Sequence, residues 1–298
     1  MMLQLPYIEP VFRPPSEAHS LILQVTNGCS WNNCTFCEMY TQPQKRFSFK
    51  DQAKIEQELE TIANTGVPVR RIFLADGDAM TLSFRRLKLI MAAIHRYLPG
   101  VQRVASYCLP RNLNNKTVAE MAELQQMGLA LFYVGCESGD DLVLERVNKG
   151  ENFDSSLAAL QKIKAAGAKS SVMILNGMMG GKRYSEQHAI NSARLMSAAQ
   201  PEYLSTLVVS FPMGVERYQQ GFGGEFEPLD KMGLFREMHC LLSNLQLENT
   251  IFRSDHASNY LILKGTLNDD KARLLDIVSS ALEQPGSVPL REDWMRGL

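Results

Sequence analysis

The chain has 298 residues, 45% of them hydrophobic, and a formal net charge of −1. That length exceeds the usual size of one domain, but α/β barrels commonly fill it, and the composition supports a large core. No segment is a run of Lys or Arg, so the charge gives no reason to expect a nucleic-acid partner. The N-terminus lacks a signal-peptide pattern, and no stretch reaches the ~18 apolar residues that span a bilayer. We expect a cytoplasmic protein without a membrane segment.

Strand-like and helix-like segments alternate along most of the chain after a proline-rich arm at residues 1–20. Six predicted strands are rich in apolar and β-branched residues. They are Leu21–Thr26, Arg71–Ala75, Val101–Cys108, Leu129–Gly135, Ser170–Leu175 and Tyr203–Ser210. The predicted helices between them carry apolar residues at helical spacing. They are Asp51–Asn64, Ser83–Tyr97, Val118–Gln126, Asp141–Val147, Ser155–Ala166 and Ser185–Ala199.

This alternation predicts a parallel sheet covered by helices on its outside. The fold class is therefore α/β, a partial (β/α)6 barrel of parallel strands over about residues 20–215. The regular pattern fades after Phe211-Pro212, and residues 216–298 form a predicted C-terminal α/β extension packed on the barrel. Within it we expect helices over Leu229–Asn244 and Lys271–Leu282 and a last strand at Thr250–Arg253.

Three of the six cysteines, Cys29, Cys34 and Cys37, lie within nine residues in the spacing C-x4-C-x2-C. Such a density indicates thiolates that share a metal. A closed structural zinc site takes four protein ligands, so a zinc knuckle that borrows His19 is one interpretation. An iron–sulfur cubane on three cysteines is the other. Most cubanes carry four cysteines, so this one would keep a reactive open iron.

Glycine-rich and charged segments follow several of the strands, where parallel β/α folds bind their ligands. The second strand is followed by Asp76-Gly77-Asp78, and the fourth by Gly135-Cys136-Glu137-Ser138-Gly139 and then Asn148-Lys149-Gly150. The fifth is followed by Asn176-Gly177-Met178-Met179-Gly180-Gly181, and the sixth ends at Ser210-Phe211-Pro212. As a simple alternative, Asp-Gly is a common turn and Lys149 a common helix cap.

The cysteine loop, with Phe36 before the last cysteine and a strand before the first, resembles the radical S-adenosylmethionine (radical SAM) superfamily. Its commonest spacing is C-x3-C-x2-C, and here the first gap is one residue longer. The Glu-Ser-Gly…Asn-Lys-Gly pattern is similar to one branch of that superfamily. This branch includes oxygen-independent coproporphyrinogen oxidases, cobalamin-binding radical SAM enzymes and radical SAM tRNA-modifying enzymes. The resemblance covers roughly residues 20–215.

The resemblance implies two cofactors, a 4Fe–4S cluster on the three cysteines and SAM bound to the open iron. It implies reductive cleavage of SAM to a 5′-deoxyadenosyl radical, which takes hydrogen from an unidentified small substrate, and a flavodoxin- or ferredoxin-like electron donor. The implied cofactor-binding residues follow the strands. They are Asp76, Gly77 and Asp78 at the ammonium of SAM, Glu137 at its ribose or ammonium, Lys149 at its carboxylate, Gly177 and Ser210 near adenine, and Tyr107 after the third strand.

Substrate-side residues are expected in the polar segment Phe252–Tyr260, between apolar Ile251 and Leu261. Arg253 and His256 are candidates for an anionic substrate group, and Tyr260 for relay of a hydrogen atom. A solvated loop with caps and turns is the simpler interpretation. For the whole chain, a zinc-stabilised binding protein and an iron–sulfur electron carrier remain the alternatives to an enzyme. The sequence does not identify the substrate, the fate of SAM or the oligomeric state.

Overall fold

The computed structural model describes residues 5–212, 214–224 and 226–296. The first four residues of the predicted arm, Met213, Glu225 and the last two residues of the predicted extension lie outside this part. Ten strands are described. They are β1 Leu21–Gln24, β2 Thr26–Asn27, β3 Ser48–Phe49, β4 Arg71–Ala75, β5 Arg103–Tyr107, β6 Leu129–Glu137, β7 Lys169–Asn176, β8 Tyr203–Val208, β9 Thr250–Ser254 and β10 Leu263–Leu267.

Helices follow most of these strands, as the alternation in the sequence predicts. In the described residues the α-helices are α1 Gln52–Asn64, α2 Phe84–Tyr97, α3 Val118–Gln126, α4 Asp141–Arg146, α5 Phe153–Ala165, α6 Lys182–Ala199, α7 Glu216–Gln220, α8 Lys231–Asn244 and α9 Lys271–Glu283. Several begin at capping side chains. Thr117 and Glu120 form a capping box at α3, and the carboxylate of Asp230 accepts from the backbone N–H of Gly233 at 2.6 Å in α8.

Among the described strands, eight form one sheet in the order β1-β4-β5-β6-β7-β8-β9-β10. β1, β4, β5 and β6 pair in parallel, as do β7, β8 and β9, and β10 is antiparallel to β9. All six strands expected from the sequence are present, and the α/β class with parallel strands is confirmed. The strand expected in the C-terminal extension is β9, which joins this same sheet beside β8. The short β2–β3 pair, β7's first residue, α7 and β10 were not predicted.

The chain divides into two compact units. The N-terminal unit comprises Met1–Asn32, Cys37–Val134 and Gln161–Ser170, and the C-terminal unit comprises Asn33–Phe36, Gly135–Leu160 and Ser171–Leu298. Each is described separately below.

In the N-terminal unit, the arm is tied to the first strand. The Tyr7 hydroxyl donates to the carbonyl of Ile22 at 2.8 Å, and the side-chain oxygen of Gln24 accepts from the N–H of Ile8 at 2.9 Å. Further along, the buried carboxylate of Glu17 pairs with Arg103 at 2.5 Å and accepts from the Tyr133 hydroxyl at 2.7 Å. These contacts indicate that the described part of the arm is an ordered element of this unit.

In the C-terminal unit, a cluster of aromatic and aliphatic side chains packs behind the loop that follows β7. Its buried members are Val143, Val147, Leu175, Met178, Met179, Tyr218, Phe222 and Phe226. The Tyr218 hydroxyl also donates to the carbonyl of Met178. The two methionines that follow Gly177 are therefore core residues of this unit.

None of the described helices combines the length and the apolar character needed to cross a membrane.

Candidate functional site

The Asp76-Gly77-Asp78 turn directly follows β4 in the N-terminal unit, as the sequence predicts. Asp76 is completely buried and forms an ion pair with Lys45, whose side chain is also fully buried. The same carboxylate oxygen of Asp76 accepts from the N–H of Gly28 at 3.5 Å. A buried charge needs such a partner, because desolvation without compensation is costly. The charge of Asp76 is thus balanced by Lys45, a pairing that the sequence did not predict.

Gly77 is required for a steric reason. A Cβ atom at this position would lie 2.4 Å from Cε2 of the Tyr40 ring, so any larger residue displaces that ring. Tyr40 is itself buried, and burial, followed by the charge of Asp76, raises the pKa of its hydroxyl well above the usual value. The ring of Tyr40, at the end of the cysteine loop, therefore packs directly on the turn.

Asp78 connects the turn to the cysteine loop. It is completely buried, and its Oδ2 accepts from both the N–H and the hydroxyl of Ser30, the N–H at 3.3 Å. The hydroxyl of Thr81 donates to the same oxygen at 3.0 Å. Burial raises the pKa of Asp78 from its ordinary value, although these hydrogen bonds oppose the shift. The backbone on both sides of Cys29 is thus hydrogen-bonded to the two aspartates.

The three clustered cysteines are half-buried thiols. Cys29 and Cys37 belong to the N-terminal unit and Cys34 to the C-terminal unit. Across the described residues, no three His, Cys, Asp or Glu side chains stand in an arrangement that could hold a metal ion. His19, the fourth ligand of the zinc interpretation, is exposed.

The segment around Cys34 contacts the end of α4 in the C-terminal unit. The N–H of Thr35 donates to the carbonyl of Val147 at 3.0 Å, and the Nζ of Lys149 lies 5.8 Å from the centroid of the Phe36 ring. The carbonyl of Val147 lies just beyond the last turn of α4, where helices leave acceptors unsatisfied. This contact places Cys34 beside the Asn148-Lys149-Gly150 motif.

Glu137 and Lys149 form a buried ion pair with an Nζ–Oε1 distance of 3.1 Å. Burial alone would lower the pKa of Lys149, but the charge of Glu137, and next that of Cys34, outweighs burial and raises it. The two motif residues singled out in the sequence therefore meet, and the cation also lies within the electrostatic reach of Cys34.

Local backbone geometry explains how Glu137 reaches Lys149. β6 continues to Glu137, two residues beyond the predicted end of the strand, and Glu137 has a φ of +65°. Its side chain folds back over Gly135, where a Cβ atom would lie 2.2 Å from Oε1 of Glu137. Gly135 is therefore the residue that leaves room for the ion pair.

Ser138 belongs to a buried network. Its hydroxyl lies 2.8 Å from Nδ1 of His188, and Nε2 of His188 lies 2.9 Å from the carbonyl of Leu175. A carbonyl only accepts, so Nε2 carries a proton and donates to Leu175. The Ser138 oxygen in turn accepts from the N–H of Asp140 at 2.9 Å. The serine of the motif thus fixes the turn that follows Glu137.

Gly177 follows β7 as predicted, and it packs against α8. Oε1 of the fully buried Glu237 accepts from the N–H of Gly177 at 2.6 Å, and its Oε2 accepts from the Ser185 hydroxyl. Nε2 of His188 lies 3.9 Å from the same Oε1. Ser210 is half-buried and lies two residues beyond the end of β8, so it does not end the strand as predicted.

Tyr107 is the last residue of β5 and packs edge-to-face against Phe73, with ring centroids 5.0 Å apart. Burial raises the pKa of its hydroxyl, and the charges of Tyr133, Asp76 and Cys37 act in the same direction. Arg111, four residues further along, lies over the ring of Trp31, with its guanidinium carbon 3.9 Å from the ring centroid. Both residues therefore lie in the same unit as Cys29 and Cys37.

The expected substrate residues contact their own loop and the C-terminal tail, which is the segment after α9 (residues 284–296). Arg253 is exposed and donates to the carbonyl of Phe252 at 3.0 Å. Nδ1 of His256 accepts from the N–H of Ser258 at 3.1 Å, and burial, with the charge of Arg291, lowers the pKa of His256. These contacts match the simpler interpretation of the segment, and its role at a substrate remains a prediction.

The tail also covers Tyr260. The guanidinium of Arg296 lies 3.7 Å from the centroid of the Tyr260 ring, and Nζ of Lys231 lies 4.7 Å from it. Arg291 donates to the carbonyls of Asp255, His256 and Asn259 at 2.6–3.0 Å. These contacts attach the backbone of the segment to Arg291.

Five residues of this region were not found by sequence reasoning: Ser30, Tyr40, Lys45, His188 and Glu237. Each acts through a partner distant in sequence, such as Lys45 with Asp76 or Glu237 with Gly177. An isolated charged residue in a loop or helix carries no local signal of such a contact. Ser30, directly after Cys29, and Tyr40, three residues after Cys37, lie in or beside the cysteine motif, but the motif does not indicate their contacts with the turn after β4.

The chemistry of these donors, although not the present arrangement of their side chains, fits a cluster held by three thiolates. The donor set is three half-buried thiols, the type of ligand that iron–sulfur clusters take. A buried cation, Lys149, stands within the electrostatic reach of Cys34, where it can balance negative charge. Cys29 is flanked by backbone groups fixed to Asp76 and Asp78.

A family model described as the radical SAM superfamily matches residues 23–196, which is more than half of the chain. The chain therefore belongs to the radical SAM superfamily, a family of enzymes whose cofactors are a 4Fe–4S cluster and SAM. The matched residues contain all three clustered cysteines and both residues of the buried ion pair.

Solved structures with the same fold include radical SAM enzymes of different chemistry. Coproporphyrinogen III oxidase from Escherichia coli matches with a TM-score of 0.57 and 14% identity, over 75% of this chain and 52% of that one. The radical SAM methyltransferase TsrM from Kitasatospora setae, solved with tryptophan and a SAM analogue, matches with a TM-score of 0.50 and 19% identity, over 62% and 35%. Methylornithine synthase matches with a TM-score of 0.50 and 16% identity, over 76% and 63%.

At these identities the likeness is one of fold. The chain spans between 35% and 63% of the length of these three structures, less than two thirds of each. The mostly parallel sheet of this chain matches the partial barrel of the family.

Proposed function

We propose that the chain binds SAM at a 4Fe–4S cluster held by Cys29, Cys34 and Cys37, cleaves it reductively and passes the radical to a small substrate. The observation that carries the proposal is the buried ion pair of Glu137 and Lys149, with the cation in the electrostatic reach of Cys34. Two charges held together in the interior cost desolvation energy, and they offer one acceptor and one donor to a ligand that carries both charges. SAM is such a ligand, because its amino-acid end has a carboxylate and an ammonium group.

Lys149 and Glu137 have distinct roles in this proposal. Nζ of Lys149 donates to the carboxylate of SAM, a charge-assisted contact. Glu137 accepts from the ribose hydroxyls or the ammonium, and it holds Lys149 protonated until SAM arrives. When bound and reduced, the cluster supplies the one electron that breaks a carbon–sulfur bond of SAM to give methionine and a 5′-deoxyadenosyl radical.

The finer assignment of the branch also belongs to this proposal. The Glu-Ser-Gly…Asn-Lys-Gly pattern supports kinship with the coproporphyrinogen oxidase, cobalamin-binding and tRNA-modifying enzymes. The buried contacts of Ser138 with His188, and of Glu137 with Lys149, give that pattern a physical basis in this chain. The C-x4-C-x2-C spacing is then a variant of the cysteine loop of the branch.

We expect the three half-buried cysteine side chains to turn toward a common cluster as it assembles. Gly177 and Ser210 remain candidates for the adenine side, and Arg253, His256 and Tyr260 for the substrate side. A flavodoxin- or ferredoxin-like protein is the expected electron donor, and the location is expected to be cytoplasmic. Residues 20–215 are proposed as the catalytic core and 216–298 as its extension.

The test is SAM cleavage by anaerobically reconstituted protein with dithionite. We expect about four iron atoms per chain and formation of 5′-deoxyadenosine and methionine, measured by chromatography. Cys34→Ala should abolish both iron uptake and cleavage, and Cys240→Ala, on α8, should change neither. A colourless protein that holds zinc contradicts the proposal and favours a binding protein. Iron with redox activity but intact SAM contradicts it and favours an electron carrier.

A further inference from the structure

The two aspartates that follow β4 are closed to ligands by the protein itself. Asp76 and Asp78 are both 0% exposed. Oδ2 of Asp76 is occupied by Lys45, and Oδ2 of Asp78 by Ser30 and Thr81. Oδ1 of each is also buried and accepts no hydrogen bond from the described residues. A ligand reaches either carboxylate only if the surrounding side chains move, whereas the bonds to Oδ2 are already made within the protein.

The donors that occupy these aspartates come from the cysteine loop. The N–H of Gly28 donates to Asp76 at 3.5 Å, and the N–H of Ser30 donates to Asp78 at 3.3 Å. Cys29 lies between these two residues. The N–H groups of the residues on either side of this cysteine are thus attached to a turn that follows a buried strand.

Asp78 makes the stronger of the two attachments. It accepts from Ser30 twice, through the backbone N–H and the hydroxyl, and the hydroxyl of Thr81 supports both by donating to the same oxygen. Hydrogen bonds to a carboxylate are stronger than those between neutral groups. Fixing the backbone of a residue in advance removes conformational entropy that ligand binding would otherwise have to offset.

Resting on the proposed function, we infer that Asp78 is a positioning residue that holds Cys29 for cluster binding through Ser30. Its role precedes SAM, since it acts on the loop that carries the thiolate. Asp76 supports the same loop through Gly28 and is held in place by Lys45.

The distinguishing measurement is cluster retention in the absence of SAM. Each variant is reconstituted anaerobically, and the rate of iron release to excess chelator is followed by absorbance. Asp78→Ala removes both bonds from Ser30 and the bond from Thr81. Loss of even one charge-assisted hydrogen bond predicts about a tenfold change, so iron release should be at least about tenfold faster than in the wild type. Asp78→Asn keeps an oxygen that accepts from Ser30, so its release rate should stay within about threefold of the wild type.

Ser30 provides a second set of variants, because it is exposed and its replacement leaves the core intact. Ser30→Ala should release iron faster than the wild type, and Ser30→Thr, which keeps the hydroxyl, should restore retention. Ser197→Ala is the matched control, since it also loses a hydroxyl that bonds the backbone, but in α6. Its release rate should equal that of the wild type. Thermal melting of each apoprotein reports folding separately.

The inference is overturned if Asp78→Ala retains iron as the wild type does while its affinity for SAM falls, because Asp78 would then act on SAM. It is also overturned if Ser197→Ala loses iron as fast as Ser30→Ala, since the effect would be general loss of stability. Wild-type protein that takes up no iron contradicts the proposed function, and with it the inference that rests on it.

Discussion

At two positions near the predicted site, glycine is needed because a neighbouring side chain fills the space that a Cβ atom would occupy. At Gly77 that space is filled by the ring of Tyr40, and at Gly135 by the carboxylate of Glu137. Neither glycine has a positive φ, so their role is to leave room rather than to allow a special backbone. This distinction matters for mutation, because an alanine at such a position is strained only by its neighbour.

Gly135→Ala should displace Glu137 from Lys149 without preventing folding. The added methyl group would lie 2.2 Å from Oε1 of Glu137, which is the end of a side chain and can move. We expect SAM affinity to fall by at least about tenfold and stability by about 1–3 kcal/mol, as for overpacked sites. Titration calorimetry with reconstituted protein and urea unfolding measure the two effects.

Gly100→Ala is the matched control for that variant. It also has an ordinary φ, and its Cβ would meet only the carbonyl of Val69 at 3.6 Å, an ordinary contact. Its SAM affinity should equal that of the wild type. Unchanged SAM affinity in Gly135→Ala would show that the position of Glu137 does not matter for binding.

Site residues that belong to a recognisable motif can be predicted from the sequence. Residues whose role depends on a partner far away in the chain cannot. Glu137 and Lys149 were expected together at SAM, and the structure pairs them. The fully buried pair of Asp76 and Lys45 was not expected, because nothing near Lys45 indicates burial. Because Lys45 lies between the polar residues Gln44 and Arg46, its sequence surroundings are typical of a solvent-exposed residue. Its burial depends on Asp76, which is distant in the sequence.

At the scale of elements, strands flanked by strong turn signals were predicted well. The limits of β4 match the prediction residue for residue, because the strand is a continuous apolar run that ends at an Asp-Gly turn. β10 was missed because Leu263–Leu267 holds a lysine and a glycine among its five residues and lies at the edge of the sheet. Its pairing with β9 is set by the fold rather than by its own propensity.

α8 contributes a buried carboxylate to the turn after β7, which ties the C-terminal part of the chain to Gly177. Glu237 accepts from both the N–H of Gly177 and the hydroxyl of Ser185. In Glu237→Gln the amide has a single acceptor oxygen, and its NH₂ group faces a donor. We expect a loss of about 1–3 kcal/mol in the free energy of unfolding and weaker SAM binding, measured by urea unfolding and calorimetry.

Ser185→Ala separates the two contacts of Glu237. It removes the donor to Oε2 and leaves the bond to Gly177 intact, so SAM affinity should remain that of the wild type with a smaller loss of stability. If both variants weaken SAM binding equally, the position of Gly177 is not what Glu237 controls.

At the scale of the whole molecule, the parallel sheet and the position of the cysteine loop after the first strand follow from the sequence pattern. The alternation of strands and helices predicts a parallel sheet, and eight described strands form one that is mostly parallel, with β10 antiparallel to β9. The family model covers residues 23–196, which lie within the region of about 20–215 that carries the resemblance. The division into two compact units was not predictable, because it depends on contacts between residues far apart in the chain.

The central claim is that three cysteines hold a cluster with an iron open to SAM. Electron paramagnetic resonance of the reduced, reconstituted protein with and without SAM tests this claim most directly. The account predicts that SAM changes the spectrum of the reduced cluster, because the nucleotide coordinates the open iron. A reduced cluster whose spectrum is the same with and without saturating SAM would contradict the account.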